Sequence, residues 1–319
     1  MAYGFMVFIP FVPLVLFVPF YLYKETTMYQ YATSVPDSIA LQPEWLEGLK
    51  RAKLKRIEYS CGGGCTAETI GEKVRIMAEL QDAGGVIIGS IHIPFGRGWE
   101  FADPDESKRK PASDKTAAFI RACAPLKCKN FTLHGCLEPV PWDNPERAEW
   151  IKAFRKTLSE LVPVAKEQGI SINVEDLPRS CLGNTAEELA AMVDGFPLEQ
   201  VGVCFDVNHF CGHPEKLVDG IKLLAPRIRT FHISDYDGID ECHWYPGLGV
   251  IDWAGIMEAV KQLPNDVLLM FEVFGFLNAP KWQNRSIAPD VIMKSFERNV
   301  FFMENAAEIQ KRIGELKID

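Results

Sequence analysis

SINVED (171–176), VGVCFDV (201–207), IRTFHIS (228–234) and VLLMFEV (267–273) are four short β-branched and aromatic runs, each carrying an ionisable residue near its carboxyl end. A parallel strand buried on both faces reads as continuous Val, Ile, Leu and Phe. Glu175, Asp206, His232 and Glu272 break that rule at the same end of four successive runs. An isolated carboxylate there is costly to desolvate unless it is paired, protonated or bound to a metal, and one shared cation would answer all four.

Four further runs precede these: YQYATSV (29–35), RIEYS (56–60), GVIIGSIHI (85–93) and NFTLHG (130–135). Amphipathic stretches separate them at a repeat of roughly 30 residues, the period of βα units around a parallel sheet. PERAEWIKAFRKTLSELVPVAKEQG places Pro145 in a first helical turn and Gly169 as its stop, and NTAEELAAMVDG offers Asn184 as a cap with Glu187 three residues on. A last helix is expected from about residue 288 to 316. Eight strands predict an α/β fold of the (β/α)8 TIM-barrel type over residues 28–319 rather than an open doubly wound sheet. No glycine-rich phosphate fingerprint follows the first strand. CGGGC (61–65), after the second, offers successive backbone amides as an anion cradle or is simply a flexible turn.

With 319 residues, 47% hydrophobic and 24% charged, the chain is neither disordered nor collagen-like. Its 34 Lys and Arg against 43 Asp and Glu leave a net charge of −9, which gives no global attraction for nucleic acid or anionic lipid. Nine cysteines without paired CxxC clusters read as reduced thiols, so a cytoplasmic setting is expected. Residues 2–23 carry no charge and are long enough to span a bilayer. Pro10, Pro13 and Pro19 oppose a simple helix, and no basic residue precedes the run as a secretory signal requires. Lys24 follows it, an order that would leave the rest of an anchored chain in the cytoplasm. Residues 1–27 are therefore an apolar leader or a membrane anchor, and membrane contact is expected only through 2–23.

Three carboxylates and one imidazole suit one divalent metal, Mn²⁺ first, with Mg²⁺, Co²⁺ or Zn²⁺ as alternatives. His92, His134, His209 and His243 surround this set, so five of the six histidines fall at or just beyond strand ends. His209 follows Asp206 on the same turn and is expected to touch substrate or support the ligands. His92, His134 and His243 are further substrate-binding candidates, with a core role the alternative for His92 and His134. Trp99, Trp142 and Trp244, on loops after strands, offer flat surfaces for a substrate ring or simple packing.

INVEDLPRSCLGNTAEEL, VGVCFDVNHF, FHISDYDGIDECHWYPGLGVIDW and LLMFEVFG resemble the xylose isomerase-like TIM-barrel superfamily, specifically its sugar phosphate isomerase/epimerase members, from about residue 30 onward. The resemblance implies that Glu175, Asp206, His232 and Glu272 bind one divalent metal and that Glu175 and Glu272 also move protons. Removing a proton beside a carbonyl creates an enediolate; a divalent ion stabilises the developing charge, and two carboxylates serve as base and acid. His209 would then contact a substrate oxygen. Ketose epimerases of this group usually carry an Arg shortly after the His matching His232, where this chain reads Ser234-Asp235-Tyr236-Asp237. That departure argues against direct transfer of a ketose specificity, and an acidic loop disfavours a phosphorylated substrate. One alternative is a lyase or dehydratase acting on oxidised sugars, inositols or 3-oxo-glycosides. Another is an apurinic endonuclease-like phosphodiesterase, whose three zinc ions would draw on His92, His134, Glu175, Asp206, His209, His232, Glu241, His243 and Glu272; the acidity of the chain opposes it. The expected partners are a small carbohydrate and other copies of the chain in a homo-oligomer, with no nucleic acid.

Overall fold

A computed structural model describes residues 28–136, 140–210, 212–273 and 289–316. The leader at 1–27 lies outside the described residues. Eight strands follow the chain in order: β1 (Gln30–Pro36), β2 (Arg56–Ser60), β3 (Ile87–His92), β4 (Asn130–His134), β5 (Ser171–Glu175), β6 (Val201–Asp206), β7 (Ile228–Ile233) and β8 (Leu268–Phe271). Each pairs in parallel with the next, and β1 also pairs with β8, which closes the ring. This is the eight-stranded barrel predicted from the strand count, with β2 as expected and the ends of the other strands shifted by one or two residues.

After β1 the chain forms α1 (Asp37–Ala40) and α2 (Pro43–Arg51). Helices α3 (Ala67–Asp82), α4 (Glu106–Ala122), α5 (Arg147–Gln168), α6 (Ala186–Val193), α7 (Leu217–Leu224) and α8 (Trp253–Lys261) then separate successive strands, and α9 (Pro289–Glu304) and α10 (Ala306–Glu315) follow β8. Phe154, Leu158, Leu161 and Ala165 of α5 are fully buried, the spacing of one helical face laid against the sheet. Gly169 ends α5 at φ +61°, a left-handed conformation that glycine adopts without a Cβ clash. Arg109 of α4, only 1% exposed, joins α4 to α5 by donating to Glu160 at 2.7 Å and Thr157 at 2.9 Å.

Local details depart from the sequence-based expectation at three places. Helix α5 begins at Arg147, so Pro145 stands in the turn ahead of it rather than in the first helical turn. The cap of α6 is Thr185, extended at φ −114°, whose hydroxyl accepts the Glu188 N–H at 3.2 Å; Asn184 instead donates to the Leu177 carbonyl at 2.9 Å. The final helix breaks at Asn305 into α9 and α10. At the end of the glycine-rich turn the Cys65 thiol lies 3.4 Å from Asp37, which also pairs with Lys73. Every described cysteine is a free thiol, and no described helix is long and apolar enough to cross a membrane.

Candidate active site

The carboxyl ends of β5, β6 and β7 are in register, pairing Glu175 with Cys204 and Asp206 with His232. Glu272 follows β8 directly. Ligand atoms of Glu175, Asp206, His232 and Glu272 all lie within 4.8 Å of one another, and all four residues are buried. The Nδ1 atom of His232 is 2.9 Å from Glu175 Oε1, 3.1 Å from Glu272 Oε2 and 3.8 Å from Asp206 Oδ2. One nitrogen carries at most one proton and cannot satisfy three carboxylates. Asp206 Oδ2 is buried with no hydrogen-bond partner. A hard, oxygen-rich set with an orphaned oxygen fits a divalent cation.

Three histidines are oriented alike. His92 donates Nδ1–H to the Ile93 carbonyl at 2.9 Å, His209 to the Asp176 carbonyl at 2.7 Å, and His243 to the Glu272 carbonyl at 3.1 Å. Their Nε2 atoms are thereby left for the site. His232 is reversed, with Nε2 held by Glu58 at 3.1 Å and Nδ1 turned to the carboxylates. His92 and His134 bring Nε2 atoms to 3.2 and 3.1 Å from Glu175 Oε2. His209 Nε2 is 3.3 Å from Glu241 and 3.4 Å from Asp206. His243, at the positive φ of +50°, completes a second donor trio with His209 and Glu241, and His92, His134 and Glu175 make a third.

Burial works against charge throughout this cluster, and neighbouring charges decide the outcome. Burial pushes Asp206 up to about 6, against the pull of His209. Glu175 and Glu272 lie well below the ordinary carboxylate value: burial raises them, but His232 overrides it, helped at Glu175 by His134 and at Glu272 by His243. His232 and His209 are held well above the ordinary imidazole value despite burial, by Cys204, Glu175, Glu272 and Glu58 around the first and by Asp206 and Glu241 around the second. Burial dominates at His134 and lowers it.

Two buried acids are missing from the sequence-based set. Glu58 sits in the middle of β2, fully buried, and Asp176 follows β5, accepting the Asp206 N–H at 2.7 Å. The lone acid inside RIEYS is the available signal for Glu58. Asp235, part of the stretch that replaces the expected Arg, is also buried, and it accepts from Gly247 N–H and Trp253 Nε1–H at 2.8 Å each. A Cβ at Gly249 would collide with the Asp235 carboxylate and the Tyr236 carbonyl, so glycine at this position lets the loop close on this acid. Asp235 is therefore the anchor of the loop carrying Glu241, His243 and Trp244.

The three tryptophans separate. Trp99 is 3% exposed, packs on Phe101 and Phe119 and donates to the Gly63 carbonyl, which makes it a core residue and not a sugar platform. Trp142, 52% exposed, carries the Arg147 guanidinium on its face at 3.9 Å. Trp244 is 38% exposed and bridges Asp235 through the backbone, beside the histidine cluster.

Residues 51–292 match the family model described as xylose isomerase-like TIM barrel. Over 205 residues the chain is 28% identical to an uncharacterized protein of Methanocaldococcus jannaschii, covering 63% of this chain and 69% of that one. It is 26% identical over 130 residues to the inosose isomerase of Bacillus velezensis, a match that spans 39% of this chain and 46% of the isomerase. Among solved structures, a D-tagatose 3-epimerase-like protein superposes with a TM-score of 0.66 at 21% identity, over 87% of this chain and 99% of that one. The IolI protein with a bound zinc atom superposes with a TM-score of 0.67 at 16% identity, over 87% and 98%. The sequence relatives thus include an inosose isomerase, and the superpositions establish the fold.

Proposed function

The chain belongs to the xylose isomerase-like TIM barrel family, and on that premise we propose that it is a divalent-metal-dependent sugar isomerase or epimerase that moves a proton on the carbon beside a carbonyl. The observation that carries this reading is the convergence of Glu175, Asp206, His232 and Glu272 within 4.8 Å, buried and with an Asp206 oxygen that receives no hydrogen bond. These four residues would hold the cation, which when bound polarises the substrate carbonyl and stabilises negative charge on its oxygen. The donor set suits Mn²⁺, and its imidazole also admits Zn²⁺, the metal bound by the IolI protein.

Glu175 and Glu272 serve as base and acid in this scheme: one takes the proton as the ionised carboxylate, and the other must carry a proton to return one to the carbon. His209 donates to a substrate oxygen, and the surrounding His92, His134 and His243 orient hydroxyls. Trp244 is the exposed apolar face against which a sugar ring would rest. The isomerase and epimerase likenesses support a small carbohydrate as substrate. The test is solvent deuterium incorporation into a panel of ketohexoses and keto-inositols with metal analysis of the purified protein. About one Mn²⁺ or Zn²⁺ per chain with exchange and no loss of a group supports the reading. Loss of a group would make the enzyme a lyase, and no exchange with any keto-sugar would overturn both.

A second reading, a zinc-dependent phosphodiesterase, is favoured by one observation: further donor trios, among them His92/His134/Glu175 and His209/Glu241/His243, accompany the first set. Three Zn²⁺ per chain and cleavage of a duplex containing an abasic site would select it.

A further inference from the structure

Glu58 contributes no atom to the converging ligand set, yet it is in direct contact with it. It lies mid-strand in β2, in register with Ser34 of β1 and Ser90 of β3, and is fully buried inside the barrel. Its carboxylate accepts the Ser34 hydroxyl at 3.2 Å through Oε1 and the Thr132 hydroxyl at 3.2 Å through Oε2. Both oxygens also face Nε2 of His232, at 3.1 and 3.3 Å. Hydroxyls from β1 and β4 thus fix a β2 carboxylate against an imidazole that hangs from β7.

That contact decides which nitrogen of His232 is available. Its Nδ1 faces Glu175, Asp206 and Glu272, so Nδ1 is the atom that can join a cation with them. A neutral imidazole offers a bare Nδ1 only if the proton is on Nε2. Glu58, an acceptor with no proton of its own when ionised, requires that arrangement. His92, His209 and His243 place their second N–H against backbone carbonyls, whereas His232 meets a carboxylate, which makes the ring a stronger donor to metal. We propose that Glu58 is the positioning residue that fixes the tautomer and orientation of His232 and thereby sets the affinity of the site for its cation. The inference rests on the metal-dependent reading above.

The experiment uses the full chain with Zn²⁺ and Mn²⁺ alone as probes, comparing wild type with Glu58→Gln, which keeps the shape but loses the charge. The cation dissociation constant, measured by chelator competition, should rise 10- to 100-fold in Glu58→Gln. In the Zn²⁺-loaded wild type, the His232 Nε2–H should give a downfield, slowly exchanging proton resonance; in the variant it should move upfield and exchange faster. A purely structural role would lower the melting temperature without moving that resonance. Should Glu58→Gln fail to fold, Ser34→Ala, which removes one hydroxyl orienting Glu58, is expected to weaken binding by a smaller factor in the same direction. A folded Glu58→Gln with wild-type affinity and an unmoved resonance overturns the proposal, as does Ser34→Ala with unchanged affinity where it is the variant that folds. If wild type itself takes up neither cation, the metal-dependent reading falls and the Glu58 proposal falls with it; wild-type uptake with an unaffected variant removes the Glu58 role alone.

Discussion

Arg179 and Glu241, from the loops after β5 and β7, pair at 2.8 Å, and the other oxygen of Glu241 lies 3.3 Å from Nε2 of His209. Arg179 also reaches Asp240 at 2.7 Å and does so from a left-handed backbone of φ +60°. A non-glycine residue in that region is strained, and the ion pairs hold it there. Arg179→Gly removes the pairs and relieves the strain together. Its melting temperature is expected to stay within about 3 °C of wild type, because half-exposed pairs contribute little, whereas KM should rise several-fold as Glu241 loses its tether. Equal KM in both proteins would remove the tether from the account of the site.

Glu272→Gln preserves size and loses the charge beside His232 Nδ1. Deuterium exchange into the accepted keto-sugar should fall by at least about 100-fold, the usual scale of a lost proton-transfer group, and Glu175→Gln should behave similarly. Circular dichroism should be unchanged in both. Full exchange in either variant would exclude that residue from proton transfer.

Metal loading should weaken as pH falls. In the cation-free protein the carboxylates and Cys204 around His232 hold its pKa well above the ordinary imidazole value, against its burial, so a proton occupies the nitrogen that a metal must displace. Lower pH favours that proton, and the apparent dissociation constant for Zn²⁺ should rise as pH drops from 8 to 6, with proton release on binding in unbuffered titration. Saturating cation at about 100 times its dissociation constant should add about 2.7 kcal/mol of stability, and a chelator should reverse it.

The Arg109 clasp gives a separate acid limb to stability. Burial raises Glu160, but the Arg109 guanidinium prevails and brings its pKa below the ordinary 4.5. A carboxylate depressed in the folded state stabilises above its unfolded value, and this contribution disappears as pH falls through the folded value. Arg109→Met should cost about 1–3 kcal/mol at neutral pH, since Glu160 and the Thr157 hydroxyl lose their donor. The gap to wild type in urea unfolding should narrow below pH 4. A gap independent of pH would point to packing alone.

The barrel was legible because its eight strands are apolar runs at a steady period, and the convergence of Glu175, Asp206, His232 and Glu272 because a charge at the end of such a run is too costly to bury without a counter-charge. Glu58 was not, since its partners Thr132 and His232 come from strands that are not its neighbours and meet it only inside the folded barrel. Asp235 reads as a loop acid in sequence and becomes a buried anchor once Gly247, Ile251 and Trp253 fold over it. Thr185 rather than Asn184 caps α6 because two adjacent residues have the same chemistry and only the backbone angle distinguishes them.

The seam between β1 and β8 joins Tyr31 to Leu269 and Thr33 to Phe271, partners from opposite ends of the chain. Contacts of such separation form late and slowly, because so much polypeptide must be looped before they are rewarded. Glu272 follows immediately after this seam, so a ribosome-bound or truncated product lacking the last strand has Glu175, Asp206 and His232 but no complete cage. The four buried donors are thus complete only once the final stitch of the ring is made.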